Sequence, residues 1–375
     1  MNKLNVIDLF AGCGGLSLGF RKAGFKVPIH LEINENFCKT LVENSLPGEI
    51  VINEDITKYE NYLNNIILKK QTKINGIIGG PPCQAYSIAG RNKEENNMSE
   101  DPRNFLFESF NFLLKNIQPD FFIFENVLGM LSAKPYGIDL ISELTKSFNE
   151  SGYAINTNLK DCVFDMSEYG VPQKRKRVII FGLNKNIYRN TKNKIDSFYR
   201  EMRKNKKQIK TVKDAIGDLP KIKPIKSINR ISHKVESSFS EHEPRFHNER
   251  DIKIFQLLAE DIESGRNEFK SIESLKKIYE KYTSKSSSVH KYNVLNWDKP
   301  SNTIPAHLHK DGLRHIHPDP TQGRSITVRE AARLMTFPDD YVLKGSRTDK
   351  FKMLGNAVPP DFSIILGEVI KKVLY

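Results

Sequence analysis

The chain has no apolar run near the roughly 18 residues that a membrane-spanning helix needs. Asp8 interrupts its first apolar stretch, which argues against a secretory leader. Cysteine is scarce. Cys13, Cys38, Cys83 and Cys162 include no Cys-x-x-Cys pair and are too few for a disulfide scaffold. A reducing cytosol suits them, and any one can be a working thiol. Internal repeats and low-complexity tracts are also missing. Acids are in deficit: 58 Lys and Arg face 45 Asp and Glu, a net charge of +13 that points to a polyanionic partner. The excess concentrates in residues 185–210, where the only acids are Asp196 and Glu201. Such a run can equally be a solvated surface. Lysine outnumbers arginine and Asn and Ile are abundant, as in A/T-rich bacterial genomes.

What remains is an ordinary folded composition, 38% hydrophobic and 27% charged, over 375 residues, enough for two domains or one elaborated domain. Short apolar runs at Leu4–Phe10, Val27–Leu31, Ile74–Ile78, Phe121–Phe124 and Val178–Phe181 alternate with amphipathic stretches. The latter predict helices over Leu16–Ala23, Asn36–Glu43, Tyr59–Leu68, Phe105–Asn116 and Ile138–Phe148. Strands apolar throughout, alternating with helices, indicate an α/β fold with a parallel sheet covered on both faces. Ligands in such sheets lie beyond the C-terminal strand ends. Residues 1–184 are read as this domain. Residues 185–310, rich in Lys, Asn, Ser and Glu, are read as a smaller irregular domain. Residues 311–375 carry helices at Val328–Thr336 and Phe362–Val373, the second expected to pack back on the first domain.

One strand end reads as a cofactor site. Asp8-Leu-Phe-Ala-Gly12-Cys-Gly14-Gly15-Leu-Ser17 follows the first strand and opens a helix. Glycines there allow close approach of a ligand and leave helix N–H groups free. A dinucleotide fingerprint would need glycine where Ser17 stands, which weakens a hydride-transfer reading. Glu32, 20 residues after Gly12, is placed to bind ribose hydroxyls, and Asp55 to accept from an adenine amino group.

Neighbouring strand ends read as the reacting site. Gly79-Gly80-Pro81-Pro82-Cys83-Gln84 follows the fourth apolar run and presents a thiol in a stiffened loop. Glu125-Asn126-Val127 ends the run Phe121–Phe124, and Gln173-Lys174-Arg175-Lys176-Arg177 precedes the last. Thiol, acid and guanidinium are expected along one edge.

These motifs, with Arg329-Glu330 through Pro338 and Gly355-Asn356-Ala357-Val358-Pro359-Pro360, resemble those of the DNA cytosine-5 methyltransferases, in the family's order over nearly the whole chain. The resemblance implies a Rossmann-like S-adenosylmethionine-dependent sheet with a smaller target-recognition domain. Carbon 5 of cytosine is a poor nucleophile. Thiolate addition at carbon 6 converts the ring to an enamine able to attack a sulfonium methyl group, and a free thiol near pKa 8.5 is partly ionised at neutral pH. Cys83 is the expected nucleophile. Glu125 would hold the ring-nitrogen proton and accept from the exocyclic amine. The resemblance gives Arg175 and Arg177 to the base's carbonyl oxygen.

It further implies that Phe10, Ala11, Gly12, Gly14, Gly15, Glu32, Asp55 and Pro82 surround S-adenosylmethionine. Ile33 and Ile56 would be adenine walls, and Leu106, Asn356 and Val358 would complete the shell. The target base must leave the duplex to reach Cys83. Gln84, Ser87 and Arg91, in a polar segment running to Pro102, are expected to close over DNA. Thr303, in Lys299-Pro-Ser-Asn-Thr-Ile304, resembles a family threonine at the DNA face. The expected partner is double-stranded DNA, with a cognate restriction endonuclease acting separately in a bacterial restriction-modification system. The protein is expected to be a monomer, cytoplasmic and nucleoid-associated, without membrane contact.

Two rivals share part of this pattern. A tRNA cytosine methyltransferase would carry a Cys-Phe-Thr tripeptide, yet no cysteine follows Cys162. An inactive DNA-binding module predicts erosion of Cys83, Glu125, Arg175 and Arg177, all of which are present. His307, His309, His315 and His317 form two His-x-His pairs, but no Cys partner or known spacing supports a metal, and the chemistry needs none.

Overall fold

The computed structural model describes residues 4–58, 73–82, 106–133, 139–286, 292–310 and 312–375. The expected helix Tyr59–Leu68 therefore lies outside the described residues, as do Cys83, Gln84, Ser87 and Arg91.

Eight strands among the described residues form one sheet: β1 (Asn5–Leu9), β2 (Lys26–Glu32), β3 (Ile50–Asn53), β4 (Gly76–Gly79), β5 (Phe121–Val127), β6 (Tyr153–Ala154), β7 (Val163–Asp165) and β8 (Lys176–Asn184). Their order is β3-β2-β1-β4-β5-β8-β6, with β7 also paired to β8. The first five are parallel, as apolar strands buried on both faces require. Val6, Ile7, Ile77, Ile78, Phe122 and Val178 are all but solvent-free, each contributing about 1.5–3 kcal/mol by burial. Within this mostly parallel sheet β8 is the exception, running antiparallel to β5. The chain between β6 and β8 returns over β7 and short 3-10 turns to the C-terminal edge, so β8 starts where β5 ends.

Helices α1 (Gly15–Lys22), α2 (Glu35–Glu43), α3 (Leu106–Ile117) and α4 (Leu140–Glu150) fall within two residues of the expected spans. Asn34 and Asp139 cap α2 and α4 by accepting from backbone N–H groups of their first turns. Phe110, on α3, packs edge-on to Phe124 at 5.3 Å between ring centres, tying that helix to the strand that carries Glu125.

The chain divides into two compact units. The first holds Met1–Gly170, Arg175–Gln208 and Ala357–Tyr375; the second holds Val171–Lys174 and Ile209–Asn356. The first thus extends past residue 184 because the basic run is amphipathic. Helix α5 (Thr191–Lys204) buries Ile195, Phe198, Tyr199 and Met202. Phe198 stacks on Phe181 at 4.2 Å, and the Tyr199 hydroxyl donates to the Ile179 carbonyl at 3.0 Å.

The second unit is more regular than its composition suggests. It contains α6 (Val212–Ile216), the hairpin β9 (Lys223–Ile228) and β10 (Ile231–Lys234), α7 (Glu249–Glu263), α8 (Ile272–Thr283), α9 (Val328–Leu334) and α10 (Arg347–Asn356). Ile254, Phe255, Leu258, Ile278, Tyr292 and Ile316 make its core. Helix α11 (Pro360–Leu374) belongs to the first unit and crosses α1 at Gly19, where any Cβ would collide with Ser363.

Candidate active site

The order β3-β2-β1-β4-β5 reverses its direction of growth between β1 and β4, the switch point at which doubly wound sheets open a crevice. The glycine-rich segment leaves β1 there and the Pro-Pro-Cys segment leaves β4. Phe10 and Gly12 take left-handed backbone angles, φ 55° and 58°, turning the chain sharply toward the α1 N-terminus. A Cβ on Gly12 would meet nothing within 4 Å, so the space in front of this backbone is open. Gly14, at φ 78°, precedes α1 without any side-chain cap, and Gly15 begins the helix. Ala11 is buried, its N–H held by the Leu31 carbonyl at 3.0 Å.

Glu32 ends β2 beside this turn. Its carboxylate accepts from the Gly12 N–H at 2.8 Å and the Asn34 N–H at 2.9 Å. Burial raises its pKa, opposed by those two donors. Ile33 follows with 64% of its surface exposed, an apolar side chain that the fold leaves in water. Ile56, its expected counterpart, lies instead in the core at 4%. Asp55 accepts from both the N–H and the hydroxyl of Thr57 at 2.9 Å. Open space, an exposed apolar wall and paired acids at adjacent strand ends fit the nucleoside of S-adenosylmethionine. Pro82 and Leu106 are at the ends of described segments, in the same unit as Val358; Asn356 closes α10 in the second.

The acid and the guanidinium groups come together through the antiparallel β5–β8 register, which sets Val127 opposite Arg177. Arg177 Nε reaches Glu125 Oε1 at 2.9 Å. Arg175 is 1% exposed, its pKa pushed down by burial and then by Arg177. Close packing at Gly80 and one hydrogen bond set this pair of strands against the loop before Cys83. A Cβ on Gly80 would come within 2.7 Å of Glu125 Oε2, and Asn126 Nδ2 donates to the Pro81 carbonyl at 3.3 Å. Neither Gly80 nor Asn126 stood out from the sequence as a functional residue; their place inside two recognised motifs was the available signal.

Burial disfavours the thiolate form of the other cysteines. Cys13, Cys38 and Cys162 are buried, and burial pushes each thiol up to about 12.

Residues 4–372 match the C-5 cytosine-specific DNA methylase family. The chain belongs to that family. A type II methyltransferase of Bacillus paralicheniformis is 31% identical over 98% of this chain and 99% of its own. Another, from Haemophilus parahaemolyticus, is 32% identical over 98% and 87%. A crystal structure described as an Escherichia coli prophage DNA modification methyltransferase is 27% identical, covers 99% of both chains and superposes with a TM-score of 0.68. The Schizosaccharomyces pombe Dnmt2 methyltransferase, 15% identical with a TM-score of 0.58 over 99% and 98%, shares the fold. Membership implies S-adenosylmethionine as methyl donor and DNA as substrate.

In this methylase the Gln-x-Arg-x-Arg segment straddles the division of the chain. Gln173 stays in the second unit, accepting from the Ile304 N–H at 3.2 Å, while Arg175 and Arg177 enter β8 of the first. Thr303 is exposed, and its hydroxyl donates to the Lys174 carbonyl at 2.5 Å. The Arg329-Glu330 motif is structural. Glu330 is fully buried in a two-pronged pair with Arg324, at 2.7 and 2.6 Å, and completes the capping box of Thr327 on α9. Among the described residues no three His, Cys, Asp or Glu side chains are grouped as metal ligands, and His315 and His317 are buried. No helix among them is long and apolar enough to cross a membrane.

Proposed function

We propose that this chain methylates carbon 5 of one cytosine within a short specific sequence of double-stranded DNA, and that it protects host DNA in a restriction-modification system, as the names of its type II relatives suggest. Phe10, Ala11, Gly12, Gly14, Gly15, Glu32, Ile33, Asp55, Pro82, Leu106, Asn356 and Val358 are the residues proposed to hold S-adenosylmethionine. Bound there, it supplies an electrophilic methyl group. Ile56, though buried, is proposed as the second apolar wall of the adenine site.

Cys83 adds to carbon 6 of the extruded base as thiolate, making carbon 5 nucleophilic. Glu125 holds the proton on the ring nitrogen and accepts from the exocyclic amine, so charge does not build up on the ring. Arg175 faces the carbonyl oxygen, and Arg177 fixes the Glu125 carboxylate. Once the methyl group is in place the carbon-5 proton leaves to a base, the carbon 5–carbon 6 double bond re-forms and the Cys83 thiolate is expelled. Gln84, Ser87, Arg91 and Thr303 are proposed DNA contacts. The protein is proposed to work as a monomer in the bacterial cytoplasm, at the nucleoid.

The observation that carries this reading is the join between the Pro-Pro-Cys and Glu-Asn-Val segments, through Gly80 against Glu125 and Asn126 on Pro81. It ties the acid to the loop leading into the thiol. The test is transfer of radiolabelled methyl from S-adenosylmethionine to unmethylated plasmid DNA or to tRNA. Label in DNA, absent with Cys83→Ser, is expected. Label in tRNA instead, or wild-type turnover by Cys83→Ser, would overturn it.

A further inference from the structure

We propose that a cation-lined cleft in the second unit seats a phosphodiester of the DNA substrate. The inference rests on DNA being the substrate. The cleft has a volume of about 250 Å³, with Arg245, Arg250 and Lys285 among its walls and Phe246, Tyr279 and Tyr292 as aromatic surfaces. Pockets that engulf whole small-molecule ligands run to roughly 300–1,000 Å³. This one suits a single protruding group. Guanidinium and ammonium groups only donate hydrogen bonds, so the group they fit is an anionic acceptor. The lining also includes Asp251, which Arg250 meets at 3.0 Å, leaving the described lining with more positive than negative charge.

Position favours DNA over a free anion. Arg245 donates to the carbonyls of His309 and Lys310, at 3.2 and 3.1 Å. Those carbonyls belong to the turn that follows Thr303, the residue whose resemblance points to the DNA face. The cleft floor is therefore fastened to the segment expected to meet DNA. Tyr292 is 2% exposed and packed into the core of the unit, which makes it a rigid wall, whereas Phe246 is 40% exposed and free to lie against a sugar. His247, behind them, is kept uncharged by burial and then by Arg245, which lower its pKa to about 3. The positive charge of the cleft thus comes from arginine and lysine. Phosphate contacts of this kind position the duplex and add affinity without reading sequence.

The test is the salt dependence of duplex binding by the full chain carrying Arg250→Gln and Lys285→Gln. Both side chains are exposed, so folding is not at stake. A contact to one phosphodiester contributes about 0.9 to the slope of log K against log salt, so losing it should flatten the slope by about 0.9. Affinity should fall alike for specific and nonspecific duplexes, with S-adenosylmethionine affinity at the wild-type value. Phe246→Ala should weaken binding without changing the slope. A double variant with wild-type slope and affinity would overturn the proposal while leaving the methylase reading intact. Wild-type protein that binds S-adenosylmethionine but neither binds nor methylates DNA would overturn both.

Discussion

Arg177 Nε lies 2.9 Å from Glu125 Oε1, with both side chains largely withdrawn from water. On the proposed reading, the contact lets Arg177 orient the acid while the deeper Arg175 meets the base. Breaking a buried pair leaves an uncompensated charge, a loss of about 3–5 kcal/mol. Some of that cost should appear in catalysis.

Glu125→Gln should lower the methyl-transfer rate by about 10²–10⁴-fold, the usual worth of a positioned proton-transfer group. Arg177→Ala should lower it by about 10²-fold or more. Arg177→Lys should recover little, because an ammonium lacks the planar fork. Single-turnover transfer at saturating S-adenosylmethionine checks this. A wild-type rate for Arg177→Ala would remove the positioning role.

Gly80→Ala puts a methyl group 2.7 Å from Glu125 Oε2. The carboxylate must move, so the transfer rate should drop while S-adenosylmethionine binding, measured by calorimetry, stays within about twofold. Equal losses in binding and rate would indicate general damage instead.

Glu32 secures both the Gly12 turn and its own strand end through two N–H donors. Hydrogen bonds to a charged acceptor are worth about 1.5–3 kcal/mol each. Glu32→Gln should therefore weaken S-adenosylmethionine binding by roughly 10–100-fold in equilibrium dialysis. Unchanged affinity would detach this carboxylate from the cofactor site.

Acid should unfold the second unit early. Burial lowers the pKa of His247 and His317 to about 3 and of His315 to about 4, against 6.5 for a free side chain. Their protons are therefore bound more readily by the unfolded chain. The stability they allow is complete above about pH 6.5 and falls with pH from there toward 4. Each contributes about 1.4 kcal/mol per pH unit. Glu330, held below the usual carboxylate range by Arg324 despite its burial, adds to the loss below about pH 4.5. Urea denaturation followed through Trp297 should show the midpoint falling between pH 7 and 5. A flat midpoint would contradict the burial of these imidazoles.

Much of this was legible in the sequence because uninterrupted apolar strands and glycine-rich strand ends are local signals. Leu4–Phe10 and Phe121–Phe124 announced β1 and β5, and the alternation with helices implied the sheet. The direction of β8 was not legible, since Val178–Phe181 is equally apolar either way and only the return through β7 reverses it. The basic run 185–210 concealed α5, whose buried face of Ile195, Phe198, Tyr199 and Met202 is spaced helically among lysines. Helices α7 and α8 were hidden likewise, although Asn248 and Ser271 cap them through their first-turn N–H groups. The Arg177–Glu125 pairing depends on strand register, which a motif does not encode.

The most direct test of the central claim is conversion sequencing of unmethylated plasmid DNA after incubation with S-adenosylmethionine and either wild-type protein or Cys83→Ser. The account predicts protected cytosines confined to one short recurring sequence with wild type, and none with the variant. Wild-type protein that binds S-adenosylmethionine yet protects no cytosine would contradict it.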